Sequence, residues 1–170
     1  PLIYFSFKIK ISKLLNLYLI FFLICFQGFI GWYMVQSGLI NNVDVSHFRL
    51  AIHLSMAFLI LSLIFWNYLI INSTVNVKSN INPSIPLMFL TLIFLQIILG
   101  AFVSGLDAGK IYQTWPLMNQ SYFPNDVNFM NYKEFLNLND RSVVQFIHRN
   151  VAYIIFFLLI FIGFSIKKFN

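Results

Sequence analysis

The sequence predicts an all-α fold, a polytopic transmembrane helical bundle, and three observations carry that prediction. Of its 170 residues 59% are hydrophobic and only 9% charged, where a soluble domain carries about 25% charged residues. The mean hydropathy is +0.80. The apolar residues also run in four continuous stretches rather than alternating with polar ones, which excludes barrel strands. A soluble enzyme and a disordered segment fall to the same composition. The net charge of +6 would ordinarily raise nucleic acid as a partner. So few polar residues cannot build a basic face, however, and no nucleic-acid partner is expected. One cysteine, Cys25, excludes a disulfide framework and a cysteine-ligated metal. Within its apolar run it reads as a small buried hydrophobe.

Taken in order, residues 1–7 (PLIYFSF) are too few to cross a bilayer, which takes about 20. They read as the end of a truncated helix; a signal peptide would carry its basic residues before the apolar core, not after it. Residues 8–71 form a first helix hairpin, with spans at about 14–35 and 49–71. A polar loop at 72–85 leads to a second hairpin at 86–170, with spans at about 86–104 and 142–166. At about 1.5 Å per residue each span can cross the hydrocarbon. The loop at 105–141 holds Gly, Pro and aromatic residues and is too apolar for a flexible linker, so it is expected to fold back onto the bundle.

Charge gives the direction. Lys8, Lys10 and Lys13 precede the first span, Lys78 lies between the second and third, and Lys167 and Lys168 follow the fourth. Asp44, Asp107, Asp126, Glu134 and Asp140 fall in the two loops on the other side. The positive-inside rule makes the lysine side, and loop 72–85 with it, cytoplasmic. The long loop then faces the periplasm or its equivalent.

An internal repeat runs through the chain. Gln27-Gly-Phe-Ile-Gly31 followed by Ser37-Gly38-Leu39 matches Gln96-Ile-Ile-Leu-Gly100 followed by Ser104-Gly105-Leu106. His53-Leu-Ser-Met-Ala57-Phe58 matches His148-Arg-Asn-Val-Ala152-Tyr153. The unit is a helix hairpin, and because two spans return the chain to its starting side the copies are parallel. Gly28, Gly31 and Gly100 are read as residues that let helices approach closely. His53 and His148 sit about 6–10 Å inside the boundary, where an ionisable side chain is a functional candidate by default. Neutral imidazole is a good axial ligand for haem iron. Ala57 and Ala152 would leave room for a macrocycle, with Phe58 and Tyr153 near its edge. Arg49 and Arg149 stand where an anionic propionate could be met, although snorkelling serves Arg49 equally well. His47 has no counterpart in the repeat and reads as a solvated interfacial residue.

The resemblance becomes specific in the long loop. Gly100-Ala-Phe-Val-Ser-Gly-Leu-Asp107-Ala-Gly109-Lys-Ile-Tyr112-Gln-Thr-Trp-Pro116-Leu-Met118, followed by Phe123-Pro124, resembles the signature loop of the haem A synthase family. Val144-Gln-Phe-Ile-His148-Arg149 resembles the same family, as do Gly31-Trp32 to Leu39 and Val45 to His53. The likeness is to the cysteine-free alphaproteobacterial and mitochondrial type. It implies a central fragment: the four spans correspond to helices three to six of an eight-helix protein built from two pseudo-symmetric four-helix halves.

The resemblance further implies oxidation of a ring methyl of haem O to a formyl group, giving haem A for terminal oxidase biogenesis, with bound haem B as cofactor. By position it makes His148 an axial ligand of the haem B iron, with Arg149 beside it, and puts His53 on the substrate-haem side with Arg49 and Asp107. The family's Glu-x-x-His glutamate lies outside the chain; Leu50 and Gln145 hold the equivalent positions and neither is an acid or base. Asp107 is expected to fold the loop by hydrogen bonding rather than to move protons. Implied surroundings are a bacterial plasma membrane or a mitochondrial inner membrane, haem O as substrate, and haem O synthase, terminal oxidase assembly factors or a second copy of the chain as partners. The fragment alone is expected to be inactive. From the residues alone, His53 and His148 would instead pair across one haem in a bis-histidine b-type electron-transfer cytochrome, and the repeat by itself would also suit a small-solute transporter.

Overall fold

The computed structural model describes residues 11–38, 45–72, 82–128 and 130–168. The expected truncated helix at 1–7, the lysines at 8, 10 and 78, Asp44 and Leu39 lie outside them. The described residues form four long helices: α1 (Ile11–Gly38), α2 (His47–Asn72), α3 (Ser84–Gly105) and, after a short α4 (Tyr132–Phe135), α5 (Arg141–Lys168). All four are long and apolar enough to cross a membrane. A helix is the one single-segment structure that satisfies its own backbone in hydrocarbon, so continuous apolar runs of this length adopt it.

The helix ends follow from local chemistry. Pro83 and Pro86 occupy the start of α3, where their missing N–H groups cost nothing, and the Asn82 side chain accepts from Ser84 N at 3.0 Å. At the other end Leu106 N and Asp107 N return to the carbonyls of Phe102 and Ser104. Asp107 then takes a left-handed conformation, φ 54°, which turns the chain into a 3-10 segment, Ala108–Lys110. Asp140 caps α5, accepting from Ser142 N at 2.8 Å and Val143 N at 3.0 Å, a position where a carboxylate also meets the positive end of the helix dipole.

The principal interfaces join α1 to α2, α2 to α3, and α3 to α5. The helices therefore form a row of two hairpins joined through α2 and α3. Buried packing concentrates at the loop end, where Ala51 of α2, Ala101 and Phe102 of α3 and Val144 of α5 meet. Gly105 makes that junction possible: a Cβ there would stand 2.8 Å from the Cα of His47. Elsewhere the helices show apolar side chains outward, among them Phe22, Trp66, Phe157 and Phe164. A surface of that kind is stable against hydrocarbon or further protein, not against water.

Three expectations need correction. His47 is buried rather than solvated; it begins α2 and packs on Phe48 and edge-on against Phe102. It is drawn in because Gly105 allows the two backbones to touch. Cys25 is exposed, because its face of α1 has no neighbour in the row. Gly28 likewise has open space around it rather than a packed helix.

Candidate functional site

Each histidine of the repeat faces its own hairpin partner. In the first hairpin Gln27 Nε2 lies 3.1 Å from Nδ1 and 3.4 Å from Nε2 of His53, and donates to the His53 carbonyl at 2.9 Å. In the second, Gln96 Nε2 lies 3.3 Å from Nε2 of His148 and donates to the His148 carbonyl at 3.2 Å. The i,i+4 spacing sets Gln and Gly on one helix face, one turn apart. Both glycines then receive the ring: a Cβ would stand 2.9 Å from Cε1 of His53 at position 31, and 3.4 Å from Cε1 of His148 at position 100. The repeat read in the sequence is thus a repeated contact, Gln and Gly on one helix holding an imidazole on the next. The packing role expected of Gly31 and Gly100 is directed at these rings.

Three of the five other groups near the repeat have defined partners. Arg149 donates to the carbonyls of Tyr112 at 2.6 Å, Thr114 at 2.9 Å and Leu117 at 3.5 Å, so its guanidinium anchors the long loop. Arg49 lies over the Tyr33 ring, 5.5 Å from its centroid, a cation–π contact. Asp107 pairs with Lys110 at 2.9 Å, and that hydrogen bond and charge hold its carboxyl below the ordinary value. The Tyr153 hydroxyl is buried without a hydrogen-bond partner among the described residues. Phe58 is exposed.

The loop folds back on α5, as its composition predicted. Gln145 is buried and pairs with Tyr112 twice, donating to its carbonyl at 2.8 Å and accepting from its N–H at 3.3 Å. Asp126 accepts from Tyr112 Oη at 2.6 Å and Ser142 Oγ at 2.5 Å. Burial alone would raise the Asp126 pKa, but those two hydrogen bonds outweigh it and the net shift is downward. Burial, with the bond to Asp126, pushes the Tyr112 phenol up. Tyr112, Met118 and Phe146 are buried together beneath the loop, and Tyr122 hydrogen-bonds Asn150. Sequence reasoning missed this latch; the signal available was Asp126 two residues after Phe123-Pro124, in the part of the loop that also carries Tyr112.

The donor set suits haem iron. Among the described residues no three His, Cys, Asp or Glu side chains gather as a metal site, so neither imidazole belongs to a wider cluster of such side chains. Among the described residues Nδ1 of His148 is buried without a hydrogen-bond partner. A cavity of about 450 Å³ also lies between α2 and α3, lined by Phe48, Ala51, Met56, Phe94, Ile98 and Phe102 among others. Its walls hold neither repeat histidine.

Comparison with known proteins completes the picture. The chain is 51% identical to the heme A synthase of Pelagibacter ubique (strain HTCC1062) over 170 residues, covering 99% of the chain and 51% of that protein. It is 44% identical to the heme A synthase of Rickettsia bellii (strain RML369-C) over 178 residues, covering 99% of the chain and 52% of the relative. The chain therefore spans about half the length of the curated relatives it matches. No solved structure matches it. Residues 1–168 match the COX15-CtaA family, described as cytochrome oxidase assembly protein, and with four membrane-spanning helices carrying a twice-used Gln–Gly–His contact, the chain belongs to that family.

Proposed function

We propose that the chain forms the central part of a haem A synthase, which oxidises a ring methyl of haem O to the formyl group of haem A. The observation that carries the reading is the duplicated contact, one imidazole held by Gln27 and Gly31 and another by Gln96 and Gly100. Each histidine is engaged within its own hairpin, which supports two separate sites rather than one haem shared between His53 and His148.

In this reading haem B, when bound, supplies the redox chemistry. His148 would hold it through an imidazole nitrogen, and His53 would face the substrate haem. Arg149 fastens the long loop over the His148 end of α5, which keeps water from that site. Arg49, close to His53 in sequence and resting on Tyr33, meets a substrate propionate; Asp107 shapes the loop mouth through Lys110. Helices outside these residues complete both sites. The lysine and acid distribution supports a cytoplasmic lysine side and a periplasmic or equivalent long loop, in a bacterial plasma membrane or a mitochondrial inner membrane.

The test is the full-length protein in membranes, supplied with haem O, with extracted haems separated by chromatography. Wild type is expected to yield haem A and His53→Ala to lose that conversion while keeping haem B. A His53→Ala variant that converts haem O at the wild-type rate would remove the substrate-side assignment.

A further inference from the structure

Two imidazoles held in the same way cannot tell two haems apart. Gln27 and Gly31 meet His53 as Gln96 and Gly100 meet His148, so any selection between haem O and haem B is made outside that contact. The two haems share the macrocycle, the iron and the propionates. Haem O differs by a hydroxyethyl group bearing a farnesyl chain, where haem B has a vinyl group. A site that prefers haem O therefore needs space for a long apolar chain.

The cavity between α2 and α3 has that space, about 450 Å³, within the usual range of ligand pockets. It runs along the turns of α2 that carry His53, its walls extending from Phe48 to Leu59 on α2 and from Phe94 to Phe102 on α3. At 1.5 Å per residue the walls are roughly 17 Å and roughly 12 Å long, which suits an extended chain better than a ring. Apart from Ser55 they are apolar, and both helices are long and apolar enough to cross a membrane. Phe48 and Phe102 meet edge to face, centroids 5.2 Å apart, and close the cavity toward the loops.

The repeat supplies a comparison. Ala51, Ile52 and Ser55 of the α2 wall correspond to Phe146, Ile147 and Asn150 on α5. There the long loop occupies the face. Tyr122 and Phe123 pack on Phe146 with centroids 5.8 and 5.4 Å away, Ile147 packs against the cluster of Tyr112, Met118 and Phe146, and Tyr122 hydrogen-bonds Asn150. The same face of the histidine helix is thus open in one copy and filled in the other. We propose that the α2–α3 cavity holds the isoprenoid chain of haem O and so selects the substrate haem for His53. The proposal rests on the reading that His53 faces haem O. Lipid tails are as apolar as these walls, so the preference comes from packing against a fixed shape rather than from escape from water. On α5 the loop side chains stand where such a chain would lie, which leaves the His148 site to a haem without one.

The experiment uses the full-length protein in lipid bilayers and makes two measurements. In the first, haem O carrying a photoactivatable diazirine on its farnesyl chain is bound in the dark and illuminated, and its attachment points are located by mass spectrometry. Attachment is expected on the cavity walls of α2 and α3, and is expected to be displaced by excess haem O far more readily than by haem B. In the second, Ser55→Leu and Ile98→Phe narrow the cavity. The KM for haem O is expected to rise on the order of 10-fold, the scale of a methylene that does not fit an apolar pocket. The change falls on KM rather than kcat, and inhibition by added haem B stays as in the wild type.

Attachment elsewhere in the protein or on phospholipid alone would overturn the inference, as would displacement by haem B as readily as by haem O. So would an unchanged KM in both folded variants, the result expected if a phospholipid chain or another helix fills the cavity; the photolabel decides even where neither variant folds. Haem A formation by the wild type tests the functional reading separately. Attachment on the walls without haem A formation refutes only that reading, and haem A formation with attachment elsewhere refutes only the present inference.

Discussion

Adding one methyl group to each glycine of the repeat separates the two halves. A Cβ at position 31 would stand 2.9 Å from Cε1 of His53 and 3.5 Å from Nδ1. Carbon atoms pack best at about 3.5–4.0 Å, so the ring must retreat by roughly 0.6–1.1 Å. At position 100 the same atom would stand 3.4 Å from Cε1 of His148, a shortfall of roughly 0.1–0.6 Å. Both substitutions gain about 1 kcal/mol of helix propensity. For Gly31→Ala overpacking costs about 1–3 kcal/mol, so the net change runs from nothing to a loss of about 2 kcal/mol. Gly100→Ala is expected to be neutral or stabilising by up to about 1 kcal/mol.

The functional effect follows the ring. Gly31→Ala pulls His53 away from Gln27, and a misplacement of about 1 Å at a positioned group costs on the order of 10²-fold in rate. Haem O conversion by full-length protein is expected to fall steeply in Gly31→Ala with haem B content intact, and to stay near wild type in Gly100→Ala. Thermal unfolding in the same membranes reads the stability difference. Full conversion by Gly31→Ala alongside a defective Gly100→Ala would refute the reasoning, because it would mean that these rings do not sit against these glycines.

Other expectations concern the loop and the packed end of the row. Arg149→Lys replaces a fork that reaches three carbonyls with a point charge that cannot, so amide exchange across 105–140 should quicken by the equivalent of roughly 1.5–3 kcal/mol; unchanged exchange would contradict the anchoring role. Asp126 has a folded-state pKa below its ordinary value, so its contribution to loop docking is complete above the usual carboxylate range and is lost as pH falls through the lowered value. Tyr112, raised in the folded state, holds until pH climbs past its raised value; limited proteolysis of the loop against pH should show protection between these two edges, and Asp126→Asn should remove the acid edge. Gly105→Ala drives a Cβ into the backbone of His47 and is expected to cost about 1–3 kcal/mol in thermal stability, a loss that Gly28→Ala, with open space around it, should not show.

Much of this was legible in the sequence because a bilayer asks for little else than length and apolarity. Four spans, their ends to within a few residues, and the fold-back of the long loop follow from that. The internal repeat went further, since Gln27 with His53 and Gln96 with His148 are spaced so that hairpin geometry brings them into contact. What the chain could not announce depends on where a backbone comes to lie. The sequence reads Arg149 as standing where a propionate could be met and does not show the loop carbonyls of Tyr112, Thr114 and Leu117 that its guanidinium reaches. His47 reads as solvated until Gly105 lets α3 cross against it. Cys25 and Gly28 read as packed because an apolar run does not say which of its faces will find a neighbour within these residues.

The central claim is that the two histidines serve two different haem sites, with His148 on the resident one. It is tested most directly by the low-spin b-type haem spectrum of full-length His148→Ala and His53→Ala, purified side by side. The account predicts that His148→Ala loses the wild-type low-spin signal and that His53→Ala retains it. Loss of one and the same signal in both variants would contradict it and would place both imidazoles on a single iron.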